Sequence, residues 1–96
     1  MLEKTIERSI LHWCTKQGWI CLKLGGPKGF PDRSVILPDG RIVFLEVKTP
    51  NGRQSHHQKV WQRRLQKLGH LCHVVDSLNS AKKVLDDAVQ PTTPSC

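Results

Sequence analysis

The sequence predicts an α/β fold with the element order α-β-β-β-α-β-α, and three observations predict it. Apolar residues first recur at helical spacing, then in short runs cut by turn residues, then at helical spacing again. The central pair of runs flanks Pro38-Asp39-Gly40, a hairpin signal. Ser55 and Gly69 bracket the second helical stretch as start and stop residues.

In the first stretch Leu2, Ile6, Ile10, Trp13 and Cys14 make one apolar helical face, and Gly18 ends it. Trp19 to Leu24 reads as a short strand of largely buried character. Residues Gly25 to Pro31 hold three glycines and two prolines in seven positions, the composition of a flexible loop. Ser34–Leu37 and Ile42–Leu45 form the hairpin arms. Pro38-Asp39-Gly40 suits a type I turn followed by a left-handed glycine, which pairs Leu37 with Arg41. Counting back places Asp32 opposite Glu46, whereas a slip of one residue would send them to opposite faces.

Past the loop Thr49–Gly52, Ser55 and Gln58 form a capping box, and Gly69 closes the second helix. Trp61, Leu65 and Leu68 form its core-facing stripe, with Gln58 one turn earlier on the same face. His70–Val75 is a further strand. A third helix starts near Ser77 or Ser80 and turns Ala81, Val84, Leu85 and Ala88 inward. The division expected is one domain over 1–90 and a flexible tail over 91–96.

Composition narrows the class. At 96 residues the chain buries only roughly 60–65% of its unfolded surface, so its core is small and oligomerisation is expected. Hydrophobic residues at 38% and charged residues at 24% fit a globular domain and argue against disorder. No apolar run reaches the ~18 residues of a membrane span, which argues against a transmembrane protein, and no membrane partner is expected. The start, MLEKTIERSI, lacks a secretory pattern, so an intracellular location is expected, in bacterial cytoplasm or a phage-infected cell. Cys14, Cys21, Cys72 and Cys96 are scattered, and reduced thiols are the expectation. His70, Cys72 and His73 do not converge as a zinc site, because a strand sends 73 to the opposite face from 70 and 72. Fifteen Lys and Arg against eight Asp and Glu give +7, pointing to a polyanionic partner such as nucleic acid.

Two carboxylates stand out against that basic background. Asp32 follows a proline at the mouth of a strand, and Glu46 interrupts the apolar run Ile42–Val47. A buried acid is costly unless neutralised. Lys48, two residues on and on the same face, could supply a simple ion pair. A second acid opposite leaves more negative charge than one lysine cancels, which suits a hard divalent cation on carboxylates and water. Such a cation on two carboxylates activates water for phosphodiester hydrolysis, and a nearby lysine steadies the developing charge.

Gly29-Phe30-Pro31-Asp32-Arg33, Phe44-Leu45-Glu46-Val47-Lys48 and Gln58 at the next helix resemble the PD-(D/E)xK nuclease superfamily. The resemblance is nearest to its VRR-NUC branch, which includes small phage-type proteins and the nuclease domain of FAN1-like repair nucleases. It extends from about Ile6 to Val75. It implies a restriction-endonuclease-like αβββαβ core with a mixed central sheet flanked by helices. It further implies that Asp32, Glu46 and the Val47 carbonyl ligate Mg²⁺ or Mn²⁺, that no other small-molecule cofactor is used, and that Lys48 is the catalytic lysine. The family's first-helix acid matches Glu7, with Glu3 as the fallback, and Gln58 matches a glutamine that positions that acid or a metal-bound water. Capping alone also explains Gln58, and a surface role explains Glu7.

Lys23 matches a basic position facing phosphate. Lys28, Arg33, Arg53 and the helix ridge Lys59, Arg63 and Lys67 either follow a nucleic-acid backbone together with Arg41 or form a solvated face. Small members of the family resemble Holliday-junction resolvases. The resulting expectation is a structure-selective DNA endonuclease acting as a homodimer on branched double-stranded DNA, in repair, recombination or phage-genome processing. Nucleases for flap, nicked or mismatched DNA, and a catalytically inactive DNA-binding module, are the alternatives.

Overall fold

The computed structural model describes residues 2–89; the tail 91–96, with Cys96, lies outside the described residues. The seven elements follow the expected order: α1 (Glu3–Gln17), β1 (Ile20–Lys23), β2 (Arg33–Ile36), β3 (Ile42–Val47), α2 (His56–Lys67), β4 (Leu71–Val75) and α3 (Leu78–Val89). The strands form one mixed sheet in the order β1-β2-β3-β4, antiparallel except for the parallel β3–β4 pair. That parallel step requires a crossover, and α2 provides it.

Both helix ends read from the sequence carry their hydrogen bonds. Gly18 adopts a left-handed φ of 80°, and the N–H groups of Gly18 and Trp19 donate to Thr15 and Cys14. Gly69 (φ 92°) and His70 close α2 in the same way onto Gln66 and Leu65. Pairing one carbonyl three back and one five back satisfies acceptors that a helix end otherwise leaves open.

The hairpin adopts the register its turn chemistry implies. Leu37 N–H donates to the Arg41 carbonyl at 2.9 Å and Gly40 N–H to the Leu37 carbonyl at 2.9 Å, with Gly40 at φ 86°. From there the ladder runs Ile36↔Ile42 to Arg33↔Leu45. The next step back brings Asp32 beside β3.

One sheet face packs on α1 and α3. Its core comprises Cys21, Val35, Leu37, Val43, Leu45, Val47 and Val75 against Ile6, Ile10, Cys14, Ala81 and Leu85. The other face meets α2, which packs mainly on the β4 edge. Ile20, Leu22 and Ile42 on that face therefore remain exposed, at 53%, 46% and 37%. Trp13 and Trp19 meet edge to face at 5.1 Å beside the core. Cys14, Cys21 and Cys72 are buried free thiols.

Two expectations need correction. Leu68 does not join the core stripe of α2; it is 77% exposed. It is the residue at which the helix ends, its N–H already engaged by the last-turn carbonyls, so the stripe stops at Trp61 and Leu65. The glycine-rich loop is also anchored at its far end. A Cβ at Gly29 (φ 88°) would lie 2.5 Å from the His57 backbone and 2.8 Å from the Gln58 nitrogen, so the loop backbone rests directly on the first turn of α2. Phe30 then wedges edge to face between Trp61 (5.1 Å) and Phe44 (6.0 Å).

Candidate active site

The anchored loop delivers Asp32. Its carbonyl accepts the Leu24 N–H (2.9 Å) and its N–H donates to the Leu45 carbonyl (3.1 Å), which ties it to β1 and β3. Its carboxylate Oδ2 accepts the Val47 N–H at 2.8 Å. Burial nevertheless pushes the carboxyl above its ordinary value. The Val47 hydrogen bond opposes this, the charges of Glu7 and Glu3 add to it, and Lys48 offsets part.

Glu46 lies on the α2-facing side of β3 and is 2% exposed. Its Oε2 is buried with no hydrogen-bond partner among the described residues. Burial raises its carboxyl too; the Gln54 side chain and Lys48 pull it back, while Asp32 and Glu3 push it further. The charge of Asp32 is thus felt at Glu46, consistent with the hairpin register that sets the two opposite each other. Lys48 is half-buried immediately after β3, held there by its N–H to the Val75 carbonyl at 2.9 Å.

The first-helix acids divide. Glu7 Oε1 accepts Arg33 Nε at 2.8 Å, and both side chains are largely shielded, at 14% and 13% exposure. Glu3, one turn earlier, makes no ion pair among the described residues, and its charge is felt by both Asp32 and Glu46. Arg33 is accordingly turned towards α1.

Gln58 is engaged in capping: its Oε1 accepts the Ser55 N–H at 2.8 Å and its own N–H donates to Ser55 Oγ at 3.2 Å. The amide beside Glu46 is instead Gln54, which the sequence pattern did not single out. Gln54 Nε2 donates to Gln62 Oε1 (2.9 Å), and Gln62 and Gln66 both donate to the Cys72 carbonyl. No spacing rule marks Gln54. The only signal was a polar residue beside a helix cap.

The basic residues are dispersed. Lys23 lies on the α1 side of β1, Lys28 is exposed in the glycine-rich loop, Arg53 is exposed between β3 and α2, and Lys59 and Arg63 are exposed on α2. Arg64 stacks over Trp61 at 4.3 Å.

Among the described residues no three His, Cys, Asp or Glu side chains converge to hold a metal ion. The donor set still fits a hard cation. Two carboxylates, one with a buried oxygen lacking any partner among the described residues, suit a divalent cation held by one or two carboxylates and several waters.

The mixed sheet with its flanking helices has the architecture that the resemblance to PD-(D/E)xK nucleases implies, with Asp32, Glu46 and Lys48 close together on it. No family model matches the chain. Protein p44 of Acyrthosiphon pisum secondary endosymbiont phage 1, provisionally named a nuclease, is 39% identical over 77 residues, covering 78% of this chain and 83% of p44. A solved structure described as a VRR_NUC domain superposes with a TM-score of 0.80 at 32% identity, covering 88% of this chain and 94% of that one. Human Fanconi-associated nuclease 1 is 47% identical over 51 residues, covering 49% of this chain but only 5% of that longer protein. The chain belongs to the VRR-NUC nucleases.

Proposed function

We propose that this nuclease is a divalent-metal-dependent endonuclease that cuts branched double-stranded DNA, resolving four-way junctions as a homodimer inside the cell. The observation that carries the reading is the buried Glu46 oxygen left without a partner beside Asp32 and Lys48. A fold that merely bound DNA would gain nothing from that arrangement.

In this reading Asp32, Glu46 and the Val47 carbonyl hold Mg²⁺ or Mn²⁺, with Glu3 or Glu7 as the first-helix acid; Glu3 is favoured because Arg33 already claims Glu7. The bound cation would polarise the scissile phosphate and acidify water. The chain's own groups do the rest. The Val47 N–H fixes the Asp32 carboxylate, and the Gln54 amide lies beside that of Glu46. Lys48 faces the reacting phosphate and stabilises negative charge as it develops. Gln58 reaches the site only through α2, whose first turn it caps and on which the loop carrying Asp32 rests.

Homodimerisation is supported by the exposed apolar side chains of Ile20, Leu22 and Ile42 on a sheet face that α2 leaves bare. A two-fold pair also matches two symmetric strands of a junction.

The test is cleavage of a labelled four-way junction and of matched linear duplex with Mg²⁺, with Mn²⁺ and with EDTA. Junction cutting that needs either metal is expected, with little cutting of duplex. Equal cutting of both substrates overturns junction selectivity, and cutting in EDTA overturns the metal assignment. A monomeric mass at concentrations where the protein cuts removes the dimer.

A further inference from the structure

We infer that the cleft between α1 and β1 is a second phosphate site, which grips the nucleic-acid backbone beside the cutting centre through Lys4, Arg8 and Lys23. The inference deepens the proposed nuclease function and rests on it for the identity of the ligand. The cleft, of about 210 Å³, is lined by Lys4, Glu7, Arg8, Leu11, Lys23 and Arg33.

Three features make it a site for a polyanion. Its one acid, Glu7, is already neutralised by Arg33 on the cleft wall, so the remaining cations are uncompensated by any lining residue. Those cations come from two elements and converge in a concavity. Lys4 and Arg8 stand one turn apart on α1, and Lys23 projects from the α1-facing side of β1. This differs from Lys59 and Arg63, which stand exposed along a single helix where a solvated face is the usual outcome.

Position supplies the third feature. Lys23 pairs with Arg33 at the end of the β1–β2 ladder, and Arg33 is the residue after Asp32. Lys23 and Arg33 lie on the sheet face opposite the Asp32 carboxylate, but Glu7 lines the cleft and its charge is felt at Asp32, so the α1 wall of the cleft lies near the acidic pair. Lys4 and Arg8 are exposed and held by no ion pair among the described residues. They can meet phosphate without breaking a contact of the fold. Two ammonium groups and a guanidinium suit phosphate oxygens, the commonest partners of such donors on nucleic acid.

The experiment measures DNA binding to the full chain in a Glu46→Gln background, where no cutting intervenes. Affinity for a labelled duplex is followed against salt, with and without Lys4→Gln/Arg8→Gln. Loss of two phosphate contacts lowers the slope of log K on log salt by about 0.9 for each contact. The doublet Lys4→Arg/Arg8→Lys, which keeps the charge, restores the slope. In the Glu46-intact protein the glutamine doublet raises KM and leaves kcat unchanged.

An unchanged slope overturns the inference. So does an equal loss from a control doublet, Lys16→Gln/Lys83→Gln, whose exposed lysines lie outside the cleft. Inorganic phosphate separates the two sources of the ligand. Backbone recognition predicts that DNA perturbs the Lys4, Arg8 and Lys23 resonances at phosphate-equivalent concentrations where inorganic phosphate does not. Equal perturbation by both makes the cleft a free-phosphate pocket and overturns the backbone assignment. Failure of the wild-type protein to cut any DNA, with the slope change intact, removes the nuclease proposal and leaves the cleft standing.

Discussion

Glu46 combines two conditions that oppose each other: nearly complete burial and a carboxylate oxygen with no hydrogen-bond partner among the described residues. Leaving such a group unsatisfied costs about 1–3 kcal/mol. Glu46→Gln should therefore abolish cutting while raising, or at least preserving, the metal-free melting temperature; a large loss of stability would show that Glu46 holds the fold together. The same burial sets a pH dependence. Asp32 and Glu46 both have folded-state values raised above their ordinary 3.8 and 4.5. The native state thus holds these protons more tightly than the unfolded chain does. Their contribution to stability is complete below those ordinary values and is lost as pH rises through the raised ones. If Mg²⁺ binds the ionised pair as proposed, it should raise the melting temperature more at neutral pH than near pH 4. Calorimetric scans at both pH values, repeated with Glu46→Gln, check this: the variant should lose most of the metal-induced shift.

At the scale of elements, the site depends on three segments being fixed to one another. The glycine-rich loop is seated on α2 at Gly29, where a side chain would meet backbone and where φ is 88°. Gly29→Ala should cost ~2 kcal/mol or more, whereas Gly25→Ala, with open space around it, should change stability by less than about 0.5 kcal/mol. Denaturant melts of the two variants test the contrast. The Arg33–Glu7 pair fastens α1 to β2 next to Asp32. Removing one partner leaves a shielded charge unpaired, so Arg33→Met should cost about 2–4 kcal/mol. The double change Glu7→Leu/Arg33→Met should recover most of that loss, and strict additivity of the single changes in a double-mutant cycle would show that the pair is not coupled.

For the whole molecule, smallness and charge act together. The sheet leaves Ile20, Leu22 and Ile42 exposed because a single helix, α2, covers that face and sits towards β4. If a second copy covers them, Leu22→Lys should shift sedimentation towards the monomer at concentrations where the parent protein is dimeric, and should lower junction cutting more than DNA binding. The net charge of +7 keeps the chain attracted to polyanions, but its distribution decides where they bind. Lys4 and Arg8 carried no motif, and only the approach of α1 to β1 placed them with Lys23 around one cleft.

The order of the elements, both glycine helix stops, the capping box and the hairpin register were legible because each is local chemistry: φ above zero, a hydroxyl three residues before an amide, a turn of fixed length. The register in turn predicted that Asp32 meets Glu46, since period-two alternation leaves little freedom once the turn is set. What escaped were relations between segments distant in sequence. Leu68 follows the helical period yet lies exposed, because the chain turns away at Gly69. Gln54 gives no pattern at all, and its place beside Glu46 follows from how the β3–α2 loop folds back. Arg33 reads as one more cation, but 26 residues of separation from Glu7 close into an ion pair. The sequence by itself determined the elements, their register and the acidic pair, because those follow from neighbouring residues. Only the tertiary structure decided which acid of α1 Arg33 engages and which cations share a cleft, because those depend on how a helix packs across a sheet.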